Sequence, residues 1–381
     1  MQRHVAHLVY AFDTGGMENG MVNLFNNMPY PDYRHTVIAL TGFSDFRKRI
    51  TAQQVDFRAL NKKPGNDPGM FARLYSMLRE LKPDILHTRN LAALEGQFVG
   101  ALSGVGARVH GEHGRDNPAD LNGKNWKYNF IRKTARHFVH EYICVSHDLK
   151  TWLHQSVGVT EMRIHQIYNG VDTKRFLPRN PNEPSGFPAG FATNDSFVIG
   201  TVGRMTPIKD HVTLIHAFSA IARIIPKARL LIVGDGSERK RCQQLSSDLG
   251  ISDKVWFTGE RNDVPGLMQS MDVFVLPSIS EGISNTILEA MASGLPVIAT
   301  RTGGNVELVE EGHTGLLTPV GDVHKLSLAL IDFYNADDKR REFGKNARSL
   351  VESKFSLTSM AAAYSNVYEQ VLQNNKQACA A

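Results

Sequence analysis

Residues 272–294 read DVFVLPSISEGISNTILEAMASG. The segment begins with the apolar run Val273–Leu276, passes through a polar loop and continues into a helical pattern over Thr286–Ser293. Gly294 and Pro296 are residue types that commonly follow the end of a helix. A short apolar run followed by a loop and a helix is typical of a buried parallel strand with its crossover helix.

Similar apolar runs recur along the chain in two series. The first series comprises His4–Tyr10, Thr36–Leu40, Asp84–His87, Arg108–Glu112 and Tyr142–Val145. The second series comprises Phe197–Val202, Leu230–Val233, Val255–Phe257, Val273–Leu276 and Pro296–Thr300. Each series predicts one αβα domain with a parallel sheet, and we place the two domains at 1–168 and 169–356. The proline-rich stretch 178–194 is expected to be a loop just inside the second domain.

The composition is that of a globular protein. The 381 residues are 42% hydrophobic and 21% charged, which excludes a disordered or fibrous chain. No apolar run approaches the roughly 18 residues of a membrane span, and the N-terminus lacks a signal-peptide pattern, so we expect a cytoplasmic protein. The three cysteines are too few and too scattered for a disulfide framework or a zinc cluster.

The positive charge is concentrated in the N-terminal half. Residues 1–168 carry 21 Lys and Arg against 15 Asp and Glu, within a net charge of +5 for the whole chain. An anionic substrate or a membrane surface is therefore expected to meet this half of the molecule.

The loop after Val273–Leu276 is the strongest candidate site, because open parallel sheets bind ligands beyond the carboxyl ends of their strands. Ser284 or Asn285 can cap the following helix and leave its first backbone N–H groups to bind an anion such as a diphosphate. Glu281 and Glu289 lie eight positions apart and do not occupy neighbouring positions on one helical face, which disfavours a glycosidase pair. We expect these two carboxylates to bracket a ligand that carries hydroxyls on either side of its phosphates.

This pair of glutamates resembles the E-x7-E motif of the GT-B glycosyltransferases, in particular glycosyltransferase family 4. Further family motifs follow in the family's order: Gly15-Gly16 after the first strand, Asn169-Gly170-Val171-Asp172 before Phe176, Val202-Gly203-Arg204 followed by Lys209, and Leu231-Ile232-Val233-Gly234-Asp235-Gly236. The sequence departs from the family at Asp210, where a glycine usually follows the lysine. The resemblance covers nearly the whole chain.

The resemblance implies the GT-B fold, in which two Rossmann-like αβα domains have parallel sheets that face each other across a cleft. The N-terminal domain would bind the acceptor, and the C-terminal domain would bind the nucleotide sugar. A helical pattern over 357–372 is expected to cross back, so that residues 357–381 complete the N-terminal domain. Residues 373–381 are expected to be frayed.

The resemblance also implies a role for each matching residue of the C-terminal domain. Glu289 would hold the ribose hydroxyls of the nucleotide, and Glu281 would contact the hydroxyls of the donor sugar. Arg204 and Lys209 would neutralise the leaving diphosphate, so no metal and no other cofactor is expected. Arg261 would pack against the base, or lie on the surface. The donor-binding loop and helix start comprise Gly282, Ile283, Ser284 and Asn285.

The N-terminal domain is implied to contribute fewer residues. The amides of Gly15 and Gly16 could face the diphosphate, although the alternative is a simple tight turn. His113 follows a predicted strand at a position where family members often carry an active-site histidine, and it would contact the donor sugar; without the resemblance a structural histidine is favoured. Arg115 and Asp116 are expected to contact the acceptor. The expected catalytic set is His113, Arg204, Lys209 and Glu281.

The segment Lys124–Tyr142 interleaves basic and aromatic residues. One helical face would carry Tyr128, Ile131, Ala135, Phe138 and Tyr142. This pattern fits a crossover helix with a solvated basic face, and it also fits a helix that docks onto anionic lipid. Nucleic-acid binding is disfavoured, because the interleaved aromatic and glycine pattern of an RNA module is missing.

The resemblance therefore implies a retaining glycosyltransferase that moves a sugar from a nucleotide-diphosphate sugar, which we expect to be of the UDP type, to a hydroxyl of a saccharide or lipid-linked acceptor in bacterial surface polysaccharide synthesis. It would be cytoplasmic, or peripheral on the inner face of the plasma membrane. The alternatives are a non-catalytic nucleotide-sugar-binding protein and a GT-B nucleotide-sugar epimerase or phosphorylase. A dinucleotide oxidoreductase is disfavoured because Asp13–Gly16 is not G-x-G-x-x-G.

Overall fold

The structure is a computed structural model, and it describes residues 2–29, 31–114, 126–180, 186–188, 190–193 and 195–380. The chain divides into two compact units. The first unit comprises Met1–Gly170 together with Leu357–Ala381, and the second unit comprises Val171–Ser356. This division falls two residues after the boundary that we placed from the sequence.

Each unit is built on one parallel sheet. The strands of the first unit are β1 Arg3–Val9, β2 Tyr33–Ala39, β3 Val55–Ala59, β4 Ile85–Arg89, β5 Ala107–Glu112, β6 Glu141–Cys144 and β7 Ile164–Gln166. The strands of the second unit are β8 Phe197–Val202, β9 Ala228–Val233, β10 Val255–Gly259, β11 Val273–Leu276, β12 Val297–Thr300 and β13 Gly315–Thr318. The strand order is β3-β2-β1-β4-β5-β6-β7 in the first sheet and β10-β9-β8-β11-β12-β13 in the second. The predicted α/β class with two Rossmann-like domains is confirmed.

Helices connect the strands of both sheets. In the first unit they are α1 Gly16–Asn27, α2 Pro68–Leu81, α3 Asn90–Leu94, α4 Gly96–Leu102, α5 Trp126–Ala135 and α6 His147–Trp152. In the second unit they are α7 His211–Ala222, α8 Arg239–Asp248, α9 Val264–Gln269, α10 Asn285–Ala292, α11 Asn305–Leu308, α12 Val323–Asn335 and α13 Asp337–Lys354. The last helix, α14 Leu357–Ala380, returns to the first unit.

Apolar side chains cover both faces of the first sheet. On one face, Val367 and Val371 of α14 belong to the same buried cluster as Ile85 and Val109. On the other face, Leu74 of α2 is buried in a separate cluster with residues of β1 and β4. The alternation of side chains along each strand explains these two cores, because successive residues of a strand point to opposite faces.

Three strands and the end of the chain differ from the sequence expectations. The strands β3, β7 and β13 were not predicted, because they are short or lie at a sheet edge and lack a continuous apolar run. The expectation that residues 373–381 are frayed was wrong for the backbone as far as Ala380, which continues α14. The described residues of 178–194 contain neither helix nor strand, as expected for a loop.

The strand order creates one switch point in each sheet. In the first sheet, the chain builds outward from β1 to β2 and β3 and then crosses to β4 on the other side of β1. In the second sheet, it builds from β8 to β9 and β10 and then crosses to β11 on the other side of β8. At such a point the two neighbouring connections leave in opposite directions, which opens a crevice at the carboxyl ends of the strands.

Candidate active site

The switch point of the second sheet brings together two of the predicted site residues. Lys209 Nζ donates a hydrogen bond to Glu281 Oε1, and Ser278 Oγ donates to the same oxygen over 2.6 Å. Ser278 is fully buried, while the side chains of Lys209 and Glu281 are 22% and 10% exposed. The sequence analysis did not single out Ser278 as a site residue. This cluster holds a cation and an anion side by side at the edge where a ligand would enter.

The loop after β8 contains a residue with a left-handed backbone conformation next to Lys209. Asp210 follows Lys209 with φ 45°, a conformation that glycine adopts at little cost. The Asp210 carboxylate accepts hydrogen bonds from Thr213 N–H, at 3.3 Å, and from Thr213 Oγ1, at 2.6 Å, and so caps α7. Aspartate thus adopts a left-handed conformation at the position where the sequence departs from glycine, and its side chain caps the helix.

Two glycines support the loop that carries Glu281. Gly303 has φ 48°, and a Cβ atom at this position would lie 1.9 Å from the Glu281 carbonyl oxygen. At Gly304 a Cβ atom would lie 2.0 Å from the Gly282 carbonyl oxygen, and its N–H donates to the Glu281 carbonyl over 3.3 Å. Any side chain at either position would push the loop away. The sequence gives no local signal of this contact, because it depends on the pairing of β11 with β12.

A second pair of glycines supports the loop after β8 from the other side. A Cβ atom at Gly234 would lie 2.0 Å from the Gly203 carbonyl oxygen, and one at Gly236 would lie 2.4 Å from the Met205 carbonyl oxygen. Both glycines have positive φ values, of 133° and 154°. Between Gly203 and Met205, the side chain of Arg204 is exposed. The loops after β8, β9, β11 and β12 thus pack together at one edge of the sheet.

The helix start predicted to bind a diphosphate is formed by α10. Ser284 is the N-cap, and its Oγ accepts a hydrogen bond from Ile287 N–H over 3.3 Å. The first backbone N–H groups of an α-helix have no partner within the helix, and the helix dipole favours an anion at that end. Glu289 is half-buried, as is Gly282 in the preceding loop. Of the alternatives Ser284 and Asn285, the structure selects Ser284 as the cap, and Asn285 is the first residue of the helix.

In the first unit, His113 follows β5 beside the switch point. Its backbone N–H donates to Asn90 Oδ1 over 2.9 Å, and Asn90 follows β4 with φ 57°. The ring nitrogen Nε2 of His113 is buried and has no hydrogen-bond partner among the described residues. Burial, followed by the charge of Arg89, lowers the pKa of His113 to about 3. The imidazole is therefore neutral at physiological pH.

Gly15 and Gly16 lie at the start of α1, which follows β1. Gly15 is the N-cap residue in an extended conformation, and its carbonyl oxygen accepts from Asn19 N–H over 2.9 Å. A Cβ atom at Gly15 would lie 2.2 Å from a carboxylate oxygen of Glu18. Glycine thus allows Glu18 to fold back toward the helix start, where an acidic side chain is stabilising.

A family model matches most of each unit. Residues 14–175 match the family model described as Glycosyltransferase Family 4, and residues 187–350 match the one described as Glycosyl transferases group 1. The UDP-Gal:alpha-D-GlcNAc-diphosphoundecaprenol alpha-1,3-galactosyltransferase of Escherichia coli is 30% identical over 308 residues, which is 79% of either chain. The chain belongs to glycosyltransferase family 4.

Other similar proteins give a consistent result for this glycosyltransferase. A GDP-mannose-dependent monoacylated alpha-(1-6)-phosphatidylinositol monomannoside mannosyltransferase of Corynebacterium glutamicum is 34% identical over 53% of this chain and 55% of its own. The crystal structure of HepE from Anabaena in complex with UDP and glucose superimposes with a TM-score of 0.84, at 23% identity, over 96% of this chain and 99% of HepE. The latter likeness confirms the GT-B fold.

One predicted donor contact of the glycosyltransferase lies away from the cluster at Lys209. Arg261 follows β10, which is an edge strand two positions from β8. Its guanidinium donates to both carboxylate oxygens of Asp263, over 2.8 and 2.6 Å, and its Cζ atom lies 5.9 Å from the centroid of the Trp256 ring. The structure thus places Arg261 in an ion pair, and its packing against a base stays a prediction.

The segment Lys124–Tyr142 of the glycosyltransferase is only partly helical. The prediction of one helical face through Tyr142 was wrong, because α5 ends at Ala135 and Tyr142 is a buried residue of β6. Arg132 does not belong to the solvated basic face, since it is buried and bonds to Glu112 over 3.2 Å. Lys124, Arg115 and Asp116 lie outside the described residues, so the structure gives no position for the predicted acceptor contacts.

Two aromatic side chains are exposed on the outer face of α5. Trp126 and Phe130 are 69% and 64% exposed, and Lys127 and Lys133 are also exposed. Their positions, 126, 130 and 133, follow the spacing of one helical face. In the part of the chain that the structure describes, no helix is both long and apolar enough to cross a membrane.

Proposed function

We propose that this glycosyltransferase moves a sugar from a UDP-sugar to a hydroxyl of a saccharide or lipid-linked acceptor in bacterial surface polysaccharide synthesis, with retention of the anomeric configuration and without a metal. The observation that carries the proposal is the cluster of Lys209, Glu281 and Ser278 beside the start of α10. A basic group, a carboxylate and the positive end of a helix dipole at one switch point are suited to a ligand that combines a diphosphate with sugar hydroxyls.

The names of similar proteins support the choice of donor and acceptor. The Escherichia coli relative is named for UDP-Gal and for a diphosphoundecaprenol acceptor. The Corynebacterium glutamicum relative is named for GDP-mannose and a phosphatidylinositol mannoside. Both names combine a nucleotide sugar with a lipid-linked acceptor. They differ in the base of the nucleotide, and a screen of UDP- and GDP-sugars distinguishes the two.

In the proposed reaction, the bond between the anomeric carbon and the diphosphate breaks while the acceptor oxygen bonds to that carbon on the same face. The acceptor proton passes to the departing diphosphate, so the products are the glycosylated acceptor and UDP. Arg204 and Lys209 stabilise the charge that develops on the leaving group. Glu281 and His113 bind hydroxyls of the sugar, and Glu289 binds the ribose. No enzyme nucleophile takes part.

The first experiment is a thermal-shift and hydrolysis screen of the full chain against a panel of UDP-, GDP-, ADP- and TDP-sugars, repeated with a chelator. A donor at about 100 times its Kd stabilises the folded state by roughly 2.7 kcal/mol. We expect a UDP-sugar to raise the Tm, to be slowly hydrolysed to UDP, and to do so equally with the chelator present. Transfer of the sugar to a hydroxyl acceptor, followed by NMR of the product's anomeric proton, tests retention.

Other outcomes correct separate parts of the proposal. Stabilisation by GDP-sugars alone would make the base wrong, and loss of activity with the chelator would make the metal-independent mechanism wrong. A donor that stabilises the chain but is neither hydrolysed nor transferred would favour the non-catalytic binding protein. Interconversion of two sugars on the nucleotide would favour the epimerase.

We also propose that the enzyme contacts the inner face of the plasma membrane through the outer face of α5. Exposed aromatic side chains beside lysines are suited to the interface of an anionic bilayer. Trp126→Ala with Phe130→Ala should strongly reduce co-sedimentation with vesicles that contain anionic lipid. Leu102→Ala is the matched control, because Leu102 is 76% exposed in the same unit but lies outside α5. Equal binding of the two variants would contradict the proposal.

A further inference from the structure

A buried cation lies beneath His113 in the first unit. Arg89, the last residue of β4, is 1% exposed. Its Nη1 donates to His7 Nδ1 over 2.7 Å, and His7 Nε2 lies 3.0 Å from His35 Nδ1. The rings of His7 and His87 have their centroids 5.8 Å apart. Four neighbouring polar side chains from β1, β2 and β4 therefore share one interior layer on the same face of the sheet.

In the chain of hydrogen bonds from Arg89 to His7 to His35, the donor and the acceptor of each bond are determined. Arginine can only donate, so His7 must accept at Nδ1 and carry its proton on Nε2. That proton is donated to His35 Nδ1, which leaves the proton of His35 on its own Nε2. A second proton on His7 would face the guanidinium N–H group directly, so His7 is held neutral and in a single tautomer.

The one acid of the neighbouring strand β5, Glu112, does not face Arg89. Glu112 of β5 bonds to Arg132 over 3.2 Å and lies 3.4 Å from His110 Nε2. Successive residues of a strand point to opposite faces, so Gly111 faces the layer of Arg89 while His110 and Glu112 point away from it. Two nitrogens of Arg89, Nε and Nη2, have no hydrogen-bond partner among the described residues.

Gly111 allows His113 to approach this layer. A Cβ atom at Gly111 would lie 2.9 Å from His87 Nε2, 3.1 Å from His113 Nε2 and 3.6 Å from Arg89 Cγ. The Nε2 edge of His113 thus turns inward, and Asn90 Oδ1 fixes its backbone. Nε2 is the buried, unpartnered nitrogen of the ring, so Nδ1 is the nitrogen open to a ligand.

We propose that Arg89 is a positioning residue for His113: its buried guanidinium acts together with the burial of the ring to keep the imidazole neutral, and it favours a lone pair on the inward Nε2, so that Nδ1–H points outward as a hydrogen-bond donor to the sugar. The contact with the sugar rests on the proposed function, whereas the charge and the tautomer do not. A neutral imidazole is suited to this position, because its N–H group can bind a sugar hydroxyl without adding charge beside the reacting carbon.

The groups that act on His113 come from several elements. Arg89 of β4 and His110 of β5 oppose its protonation, and Glu112 of β5 favours it. Tyr364 and Tyr368 of α14 lie behind His87, where the Tyr368 hydroxyl is 2.8 Å from His87 Nδ1. Arg89 is the fixed positive charge among these groups, and its removal is the direct test.

The experiment is nitrogen-15 NMR of histidine side chains in the full chain, with the His113 signal assigned from His113→Gln. In the unchanged protein we expect His113 to stay neutral from pH 8 to pH 5, with the chemical shifts of the Nδ1–H tautomer. In Arg89→Met we expect the pKa of His113 to rise, so that the signal of the protonated ring begins to appear as the pH approaches 5. Titration of His113 near pH 6.5 in the unchanged protein, or a protonated Nε2 in its neutral form, would overturn the inference.

Two further variants separate charge from structure. Arg108→Met removes a half-buried arginine of β5 that bonds to backbone carbonyls, and it should leave the His113 signal unchanged. Arg89→Lys keeps the positive charge, so His113 should remain neutral in this variant. Arg89→Lys therefore provides a second measurement in case Arg89→Met does not fold. If the pKa of His113 rose equally in Arg108→Met and in Arg89→Met, the cause would be a general loss of packing. The charge of Arg89 would then not be what keeps His113 neutral.

Activity decides the part that depends on the proposed function. With the donor identified by the screen, Arg89→Met should move the acid limb of kcat/KM upward in pH and should also raise KM for the donor at pH 8, because His113 then lacks the preference for the Nδ1–H tautomer. If His113→Gln transfers sugar at the unchanged rate with unchanged KM, the contact with the donor sugar is wrong. The charge and the tautomer of His113 are decided by the NMR experiment alone and do not depend on this kinetic result.

Discussion

Lys209 and Glu281 are hydrogen-bonded to each other across the switch point between β8 and β11. The resemblance to glycosyltransferase family 4 gives them separate roles, at the diphosphate and at the sugar. The structure shows that Lys209 and Glu281 belong to one hydrogen-bonded cluster, in which the buried hydroxyl of Ser278 also donates to Glu281. A donor that enters between them would take hydrogen bonds from the lysine and donate hydroxyl hydrogen bonds to the carboxylate, without leaving either charge unpaired.

Replacement of Lys209 by methionine should reduce turnover more than stability. The side chain is partly exposed and its loss leaves Glu281 bonded to Ser278, so the fold should be retained. Loss of one group that stabilises transition-state charge costs about 10²- to 10³-fold in kcat. Steady-state kinetics with the identified donor checks this expectation. Lys240→Met, which removes an exposed lysine of α8, should have wild-type kinetics, and a similar loss in both variants would contradict a specific role for Lys209.

Replacement of Glu289 by alanine should weaken nucleotide binding. If Glu289 holds the ribose, the lost hydrogen bonds to a charged group are worth about 1.5–3 kcal/mol, which corresponds to a roughly 10- to 100-fold higher Kd. Calorimetric titration with UDP measures the effect, and circular dichroism confirms that the variant is folded. Glu342→Ala on α13 provides an exposed acidic control. An unchanged Kd for Glu289→Ala would show that the ribose assignment is wrong.

Gly304→Ala should damage activity through the position of Glu281. The added methyl group would lie 2.0 Å from the Gly282 carbonyl oxygen, so the loop must move by about an ångström or more. A displacement of this size in an active site can cost about 10²-fold in rate. Gly266→Ala in α9 is the matched control, because no atom lies within 4 Å of the added methyl group. Normal kcat/KM in Gly304→Ala would mean that the position of this loop does not matter for transfer.

The sequence predicted the main strands because each is an apolar run buried on both faces. It missed β3, where Val55 and Phe57 alternate with the exposed Asp56 and Arg58, because an edge strand needs no continuous apolar run. The E-x7-E spacing and the V-G-R element are local, so Glu281 and Lys209 could be found without the fold.

Contacts between distant strands could not be found in the same way. The contact of Gly304 with the Glu281 loop depends on the order of β11 and β12 in the sheet. The layer of His7, His35 and Arg89 depends on the order β2-β1-β4 and on a register that pairs His7 with His87. A histidine on a buried strand gives no sequence signal of its partner, because the partner is some 30 to 80 residues away.

The buried histidines of the first unit should make it sensitive to acid. The pKa of His35 and that of His113 are lowered from 6.5 to about 3 by burial, and those of His7 and His87 are lowered as well. Between pH 6.5 and about pH 3 the unfolded chain therefore binds protons that the folded chain does not, so stability is present above pH 6.5 and is lost as the pH falls. Each such histidine removes roughly 1.4 kcal/mol of unfolding free energy per pH unit in this window.

Urea unfolding of Trp256→Phe at pH 8, 7, 6 and 5.5 measures this loss. The remaining tryptophans, Trp126 and Trp152, both belong to the first unit and report on its unfolding by fluorescence. The free energy of unfolding should be similar at pH 8 and pH 7 and should then fall steeply, with uptake of several protons per molecule on unfolding at pH 5.5. His35→Phe should lower that uptake by about one proton, because it removes one depressed histidine. Equal stability at pH 7 and pH 5.5 would show that these histidines bind protons in the folded state.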